Sequence, residues 1–456
     1  MEPMETKVVI LAAGEGTRMK SSQPKVLHDC AGRSLVQWVA QAAGAVCSRP
    51  VVVIGSGSNA VRQALGEEAF DYAVQTQRLG SGHAVMAAEE QIAGSEYTVV
   101  LAGDMPLIRG ESVKSLLGSA KAGGFSCMLL TGHMQNPRGY GRILRDEIGS
   151  VVGIVEEKDA TDLQRSICEV NVSVYCFRTQ DLLLALQKLR PANAQGEYYL
   201  TDCVKILHDM GRKVGGQPVE DLVECMGVND RVQLAEAARH MRQRINEAHM
   251  RAGVTLLDPA QAYISPQTVI GQDTVIYPGV ILEGECRIGS GCTLYQGSRL
   301  VDSAVGDGAT VENSVLQSAS VGRESKIGPY AFLRPGAVVG DGCRVGDFVE
   351  LKNAAVGNGT KISHLTYVGD AQLGEQINIG CGVVFVNYNG KQKFITKVGD
   401  RAFIGCNTNL ISPVNIGEGA YIAAGATVTQ DIPPDALCIA RAKEVIKPGR
   451  AKGRYK

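Results

Sequence analysis

The chain has 456 residues, enough for two or three domains, and its 45% hydrophobic and 20% charged content is typical of a soluble globular protein. The formal net charge of −1 gives no general argument for a nucleic-acid or membrane partner. The first residues lack a basic segment followed by a long apolar run, and the 13 cysteines include no C-x-x-C pair. We therefore expect a cytoplasmic protein without a disulfide framework.

The chain opens with an apolar run, residues 7–13, which predicts a buried strand that leads into a glycine-rich turn at residues 14–18. Glycines at a strand end let the backbone approach a ligand and direct N–H groups at a phosphate. Arg18 and Lys25 add two cations that suit a triphosphate. The alternative is an ordinary strand–helix turn with solvated basic residues, because the turn matches neither a Walker A loop nor the dinucleotide fingerprint.

Further strands are predicted at Val51–Gly55 and at residues 98–102, alternating with helical stretches at residues 35–45 and 82–91. This alternation indicates an α/β domain, in which ligands bind at the carboxyl ends of the strands. Asp104 follows the strand at residues 98–102. It either caps a helix or binds Mg²⁺, which takes one or two carboxylates and completes its shell with phosphate and water.

A helix is predicted at about residues 230–252, with Asp230 as its N-cap and Gly253 after its end. Apolar side chains recur within it at alternating spacings of four and three residues. We expect residues 230–253 to link an N-terminal domain, residues 1–229, to a C-terminal domain, residues 254–456.

From Ile270 to Val428 an aliphatic residue recurs every six positions, apart from a few five-residue steps and one insertion at residues 386–397. A period of six fits neither a helix nor an ordinary strand, and it is typical of a parallel β-helix whose coils are triangles of three short strands. Residues three steps apart then stack on one face. An excursion from a regular solenoid often carries function, so the insertion is a candidate site.

Stacking on one face aligns Arg334, Lys352 and Tyr367 along an edge of the β-helix. Two stacked cations repel each other unless an anion lies between them. The edge is therefore a candidate sugar-phosphate site, and the alternative is a set of solvated surface cations.

The next face carries a column of residues that each lie two positions after a ladder residue: His364, Cys381, Cys406 and Ala424. An imidazole titrates in the range that suits a general base, although a structural histidine is the alternative. A zinc site is disfavoured because a linear column does not supply tetrahedral ligands. Metal analysis of the purified protein would test that alternative.

The N-terminal motifs resemble those of sugar-1-phosphate nucleotidyltransferases. The matching segments are residues 11–19, Pro24 with Lys25, Gln75 with residues 79–84, and residues 103–107, 139–142, 153–156, 169–171 and 196–202. With the β-helix attached, nearly the whole chain resembles the bacterial bifunctional N-acetylglucosamine-1-phosphate uridyltransferase/glucosamine-1-phosphate acetyltransferases. The resemblance implies a Rossmann-like mixed α/β domain followed by a left-handed parallel β-helix of hexapeptide repeats. The hand is taken from the resemblance alone and goes against the usual crossover rule.

The resemblance implies that the first domain transfers UMP from UTP to N-acetylglucosamine-1-phosphate and releases pyrophosphate. Arg18 and Lys25 would be catalytic by neutralising the phosphates, and Asp104 and Asn229 would bind Mg²⁺. The residues implied to bind UTP and the sugar nucleotide are Leu11, Ala12, Ala13, Gly14, Lys25, Gln75, Gly80, Ser81, Ala102, Gly103, Asp104, Gly141, Glu156, Asn171 and Asn229.

Two N-terminal positions depart from the family pattern. Glu15 stands where a lysine is expected, and a carboxylate beside a triphosphate is unfavourable unless it points to solvent. Asn171 is followed by Val and Ser where the family usually has Thr and Gly, from which we expect little change.

For the β-helix the resemblance implies acetylation of glucosamine-1-phosphate by acetyl-CoA, with His364 as general base and the N–H of Cys381 as oxyanion donor. The residues implied to bind glucosamine-1-phosphate are Arg334, Lys352, Tyr367 and Asn378. Those implied to bind acetyl-CoA are Cys381, Asn387, Tyr388, Cys406, Ala424 and Arg441. Cys381 and Cys406 replace the usual Ala and Ser, which suggests that oxidants affect acetyl transfer and spare uridylyl transfer. The family assembles as homotrimers with the coenzyme groove between neighbouring β-helices.

Two other functions stay open at this point. The protein could be a nucleotidyltransferase whose β-helix serves only to trimerise it, against which His364 and the pair Asn387 and Tyr388 argue. It could also be a non-catalytic nucleotide-sugar sensor, but the combination of Arg18, Lys25 and Asp104 argues against that function.

Overall fold

The computed structural model describes residues 6–57 and 59–454. The chain forms two compact units, Met1–Met241 and Arg242–Lys456. No helix in the described part is long and apolar enough to cross a membrane.

The first unit is built on a mixed sheet with the strand order β3-β2-β1-β4-β8-β5-β9 and the hairpin β6-β7 attached to β8. The strands are β1 (Thr6–Leu11), β2 (Val51–Gly55), β3 (Asp71–Gln75), β4 (Tyr97–Ala102), β5 (Cys127–His133), β6 (Arg142–Arg145), β7 (Val151–Val155), β8 (Glu169–Arg178) and β9 (Val214–Pro218). Strands β1 to β4 are mutually parallel, whereas β8 runs antiparallel to β4 and β5. The α/β fold expected from the alternating pattern is confirmed.

Successive β1 residues point to opposite faces of this sheet, and each face is buried in its own hydrophobic cluster. Val8 and Ile10 belong to one hydrophobic cluster, and Val9 belongs to the other. The α-helices among the described residues are α1 (Leu35–Ala43), α2 (Asn59–Leu65), α3 (Ser81–Met86), α4 (Glu89–Ile92), α5 (Gly110–Gly123), α6 (Asp162–Arg165), α7 (Thr179–Lys188), α8 (Asp202–Asp209) and α9 (Arg231–Arg251). The prediction of one continuous helix at residues 82–91 is wrong. A non-helical backbone at Ala88 (φ −103°, ψ 7°) divides this stretch into α3 and α4.

Helix α9 begins and ends where its sequence signals predict. The side chain of Asp230 accepts a hydrogen bond from the N–H of Gln233 (2.9 Å), which satisfies one of the free donors of the first turn. Gly253, just beyond the last helical residue, has a φ of +95°. That left-handed conformation suits glycine and ends the helix.

The second unit is a parallel β-helix of short strands. They are β10 (Thr255–Leu256), β11 (Tyr263–Ile264), β12 (Val269–Ile270), β13 (Val275–Ile276), β14 (Ile281–Glu283), β15 (Arg287–Ile288), β16 (Thr293–Leu294), β17 (Arg299–Val301), β18 (Ala304–Val305), β19 (Thr310–Val311), β20 (Val315–Gln317), β21 (Ser320–Val321), β22 (Lys326–Ile327), β23 (Phe332–Leu333), β24 (Val338–Val339), β25 (Arg344–Asp347), β26 (Glu350–Val356), β27 (Lys361–His364), β28 (Tyr367–Leu373), β29 (Asn378–Ile379), β30 (Val384–Val386), β31 (Thr396–Val398), β32 (Phe403–Ile404), β33 (Asn409–Ile411), β34 (Asn415–Ile416), β35 (Tyr421–Ile422), β36 (Thr427–Val428) and β37 (Leu437–Cys438).

The six-residue ladder forms the interior of this β-helix. Ladder residues three steps apart pair in register, as in the run Ile362, Ile379, Ile404 and Ile422 on one face. These four side chains are at most 3% exposed. The predicted stacking is therefore confirmed, and it determines which outward side chains become neighbours.

Candidate functional site

The first candidate site lies where β1 and β4 end. Leu11 and Ala102 pair in register as the last residues of these strands, and the N–H of Gly103 donates to the carbonyl of Leu11 (2.9 Å). A Cβ at position 103 would come within 2.7 Å of that carbonyl oxygen, so only glycine permits this approach. Asp104 is thereby directed to the same edge of the sheet as the turn at residues 14–18.

Four charged or polar residues predicted from distant parts of the sequence meet at this edge. The Lys25 ammonium contacts the Asp104 carboxylate and donates to Oδ1 of Asn229 (3.2 Å). The Arg18 guanidinium donates to the same oxygen (2.9 Å), although 211 positions separate Arg18 from Asn229. The N–H of Val228 donates to the Asp104 carbonyl (2.9 Å), which anchors the segment that carries Asn229.

The oxygen atoms of Asp104 and Asn229 fit a small hard cation. Mg²⁺ prefers oxygen ligands and needs few from the protein when phosphate and water complete its shell. Within residues 6–57 and 59–454, no group of three or more His, Cys, Asp or Glu residues could hold a metal ion. A metal at this edge would therefore depend on ligands from its substrate.

A cavity of about 470 Å³ opens beside this cluster. The predicted residues that line it are Arg18, Ala102, Asp104, Gly141, Glu156, Asn171 and Asn229. The predicted residues outside its lining are Leu11, Ala12, Ala13, Gly14, Lys25, Gln75, Gly80, Ser81 and Gly103. Arg138 and Tyr140 also line the cavity. Tyr140 belongs to the matched segment 139–142, but neither residue was predicted to bind a ligand.

The far end of the cavity combines a close backbone approach with a buried carboxyl group. A Cβ at Gly141 would lie 2.9 Å from Ile154 and 3.4 Å from both carboxylate oxygens of Glu156. Burial raises the pKa of Glu156, while a hydrogen bond from Thr201 (3.2 Å) opposes that shift. The Asn171 amide donates to the Tyr175 hydroxyl (2.7 Å) and accepts from the N–H of Ser173 (3.1 Å). Asn171 is therefore held rigidly.

Gln75, Gly80 and Ser81 form a separate group next to the glycine-rich turn. The Gln75 amide, 4% exposed, donates to the Gly80 carbonyl (3.1 Å). The Ser81 hydroxyl accepts from the N–H of Leu200 (3.0 Å). These contacts hold the Gly80 loop against the segment that precedes α8.

Glu15 has a partner that the sequence did not reveal. Its carboxylate forms an ion pair with Arg78, whose Nε also donates to the Ala13 carbonyl (3.2 Å). Both side chains are about half exposed. Arg78 therefore neutralises the carboxylate that would otherwise oppose a triphosphate at the turn.

Ser173, which occupies the usual glycine position, has a φ of +59°. A left-handed backbone is costly for a residue with a Cβ, by roughly 1–2 kcal/mol. The departure from the family pattern at this position therefore has a structural cost, although its N–H still donates to Asn171.

The second candidate site lies on the β-helix, where strand register stacks Arg334 on Lys352 as predicted. Tyr367 lies in the neighbouring outward column, paired with Glu350. Leu333, Leu351 and Val368 pair successively on one face. Arg334 donates to Glu350 (2.8 Å). Lys393, from the insertion, lies against Lys352 and lowers the pKa of its ammonium, and Arg334 adds to that effect. Crowded cations of this kind are stabilised by a bound anion.

The insertion returns to this edge through Asn387, which is only 6% exposed. Its amide donates to Asp370 (2.5 Å), which also accepts from Asn353 on the preceding coil (2.7 Å). Tyr388 is 54% exposed, and its hydroxyl donates to the Gly390 carbonyl (2.7 Å). Asn387 and Asp370 are thus buried and hydrogen-bonded to each other, whereas Tyr388 faces outward.

The column that begins with His364 is exposed along its length. His364, Cys381, Cys406 and Ala424 all follow in-register ladder residues by two positions and are solvent-exposed. Arg441, near the C-terminus, donates to the Ala424 carbonyl at the end of this column. Asn378 lies on β29, paired with Lys361 and Phe403, and so belongs to this face rather than to the Arg334 edge.

Asp347 extends the column by one coil and was not singled out from the sequence. It pairs in register with His364, and its Oδ1 lies 2.6 Å from Nδ1 of the imidazole. Asp347 also follows its ladder residue, Val345, by two positions. The counting rule that identified the other members would therefore have found it.

The fold and the two sites define a transferase with a nucleotide-binding α/β domain and a hexapeptide β-helix. Residues 8–169 match the model of the MobA-like NTP transferase domain. Residues 267–301, 318–353 and 395–430 match the bacterial transferase hexapeptide model. A crystal structure of UDP-glucose pyrophosphorylase complexed with UDP-glucose covers 53% of this chain and 100% of its own, with a TM-score of 0.43 and 18% identity.

Three relatives match along almost their whole length, and each is named bifunctional protein GlmU. The protein from Clostridioides difficile is 47% identical, covering 98% of this chain and 97% of that protein. Those from Acetivibrio thermocellus and Halalkalibacterium halodurans are each 48% identical, covering 96% of this chain and 95% and 97% of theirs. The chain belongs to the bifunctional GlmU family, so the expected bifunctional transferase of UDP-N-acetylglucosamine synthesis is confirmed.

Proposed function

We propose that the two sites act in sequence, with acetylation of glucosamine-1-phosphate on the β-helix preceding UMP transfer from UTP in the first unit. The observation that carries the proposal is the convergence of predicted residues into two separate groups. Arg18, Lys25, Asp104 and Asn229 meet at one sheet edge. The second group is the exposed column of His364, which a scaffold used only for trimerisation would not require.

For UMP transfer, Arg18 and Lys25 neutralise the triphosphate while Asp104 and Asn229 would hold Mg²⁺. Bound Mg²⁺ supplies charge neutralisation and orientation of the phosphate oxygens. The phosphates compete for Lys25, which releases the Asp104 carboxylate that it contacts in this structure. A phosphate oxygen of N-acetylglucosamine-1-phosphate attacks the α-phosphorus of UTP as the bond to the bridging oxygen breaks, and pyrophosphate leaves.

For acetyl transfer, the amine of glucosamine-1-phosphate attacks the thioester carbonyl of acetyl-CoA while His364 accepts the amine proton. The carbon–sulfur bond breaks and the proton passes to the departing thiolate. Within the described residues the N–H of Cys381 donates to no backbone carbonyl, whereas Gly380 and Gly382 on either side donate to Ile404 and Leu365. That free N–H is suited to an oxyanion. The cations of the Arg334 edge hold the sugar phosphate, with Tyr367 as a further contact. Asn378, which lies on the His364 face, would contact the substrate from a neighbouring subunit.

A homotrimer is part of the same proposal. Tyr330, Phe348 and Leu365 lie at the same corner of three successive coils and form an apolar ridge. They are 57%, 59% and 58% exposed, and each has a positive φ. Bulky side chains are strained in this conformation and are rarely left in water. A neighbouring β-helix that covers this apolar ridge offsets both costs, and it brings a second chain next to Asp347 and His364.

Replacing Phe348 with aspartate tests this assembly. Light scattering of the full chain is expected to give the mass of a trimer for the unaltered protein and a smaller mass for Phe348→Asp. Leu163→Asp, at a site 83% exposed in the first unit, serves as the control and should leave the mass unchanged. A trimer that persists in Phe348→Asp would contradict the role given to the ridge.

The separation of the two activities tests the main proposal. Asp104→Ala is expected to lower UMP transfer by about 10³-fold or more, because the metal and Lys25 lose their carboxylate partner, and to leave acetyl transfer unchanged. His364→Ala is expected to lower acetyl transfer by about 10²- to 10⁴-fold and to spare UMP transfer. Both rates are measured on one preparation of each variant, with Glu147→Ala at an exposed site as the control. Loss of both activities from either substitution would contradict two independent sites.

The cysteines predict a selective response to thiol reagents. Burial raises the pKa of Cys30, Cys176, Cys203 and Cys225 to about 12, so these thiols of the first unit are protected. Among the free cysteines, Cys381 and Cys406 are the exposed ones, and they lie in the His364 column. All 13 being free accords with the reducing cytoplasm in which we propose that the enzyme acts.

We expect N-ethylmaleimide or an oxidant to abolish acetyl transfer and to leave UMP transfer unchanged. The double variant Cys381→Ala/Cys406→Ser should resist the reagent, and mass spectrometry of digested protein should locate the modification at these two residues. Full acetyl transfer after complete alkylation of both thiols would refute the hypothesis.

A further inference from the structure

The contact between Asp347 and His364 points to a role that the family resemblance does not assign. The two residues pair in register on β25 and β27, so the β-helix itself aligns their side chains. Oδ1 of Asp347 lies 2.6 Å from Nδ1 of His364. We propose that Asp347 is a positioning residue for acetyl transfer, which orients His364 and stabilises the imidazolium that forms when His364 accepts the amine proton. The inference rests on the proposed role of His364 as general base.

The geometry selects one tautomer of His364. An ionised carboxylate only accepts hydrogen bonds, so the proton of the neutral imidazole must lie on Nδ1. Nε2 then carries the lone pair and is available as the base. The hydrogen bond from His364 keeps the pKa of Asp347 below its usual range, and Arg344 on the same strand adds to that effect. Asp347 is therefore ionised at neutral pH.

The charge of Asp347 acts on the proton-transfer step. The bond between the amine nitrogen and the acetyl carbon forms, the carbon–sulfur bond breaks, and the amine proton moves to Nε2 before it passes to the coenzyme thiolate. A positive charge develops on the imidazole during this sequence. A carboxylate held at Nδ1 lowers the energy of that charge without accepting the proton itself.

Asp347 is the carboxylate that the structure places in contact with His364. On strands β25, β27 and β29, whose residues are all described, Asp347 is the only carboxylate. The other charged groups of these strands, Arg344 and Lys361, are cationic and disfavour an imidazolium. Asn378 on the following coil is uncharged.

Both side chains are exposed, His364 by 55% and Asp347 by 38%. Exposed ion pairs contribute little to folding stability. Within a single chain the pair therefore adds little to folding stability, and its removal is expected to change catalysis without unfolding the β-helix.

The test is the pH dependence of acetyl transfer by the full chain with Asp347→Asn and Asp347→Ala. We expect kcat to fall by about 10- to 100-fold, as for other partners that orient a functional histidine, with KM for acetyl-CoA unchanged. The acidic limb of the kcat profile should move to lower pH, because the variants remove the anion that stabilises the charged imidazolium. Asp347→Glu should recover part of the lost rate.

Three controls separate the possible outcomes. UMP transfer and thermal unfolding of the same preparations report on folding, and Glu285→Gln, which removes an exposed charge elsewhere on the β-helix, should leave kcat and the profile unchanged. An unchanged kcat in the Asp347 variants, or a lower kcat with an unmoved acidic limb, would overturn the inference. Acetyl transfer that survives His364→Ala would instead refute the proposed base itself.

Discussion

The in-register pairing of successive coils is the constraint on which the second half of the molecule depends. Each ladder residue both fills the interior and sets the position of its outward neighbours, so a shift by one residue would bury the functional side chains and expose the aliphatic ones. Ile362, Ile379, Ile404 and Ile422 are almost completely buried and pair coil to coil. The positions of His364 and Cys381 are therefore as strictly determined as the core itself.

The first unit brings its candidate site residues together by different means. Its site is formed by turns at the ends of parallel strands, and long-range contacts bring Asn229 to Asp104 and Arg18. The close approach at Gly103 is a local steric requirement, whereas the Lys25 contact with Asp104 is electrostatic. One site is thus a rigid column on a repeating scaffold, and the other is a charge cluster that ligand binding can rearrange.

The side-chain positions on the repeating β-helix could be predicted from the sequence, whereas several contacts between the turns of the first unit could not. A period of six residues determines faces by counting, so the columns of Arg334 and His364 could be derived without any structure. Asp347 obeys the same count, but a lone aspartate in a sequence carries no chemical signal comparable with that of a histidine. The ion pair between Glu15 and Arg78 could not be derived, since it joins two turns whose proximity depends on the folded sheet. The division between α3 and α4, at Ala88, has no sequence signal such as glycine or proline.

A crystal structure of the full chain with coenzyme A and glucosamine-1-phosphate tests the central claim most directly. The account predicts that the thiol end of the coenzyme lies along the His364 column, beside the N–H of Cys381, with the sugar phosphate at Arg334 and Lys352. It further predicts that His364 and Cys381 remain on one face of the β-helix. Coenzyme bound away from this column, or His364 turned away from the sugar amine, would contradict the account.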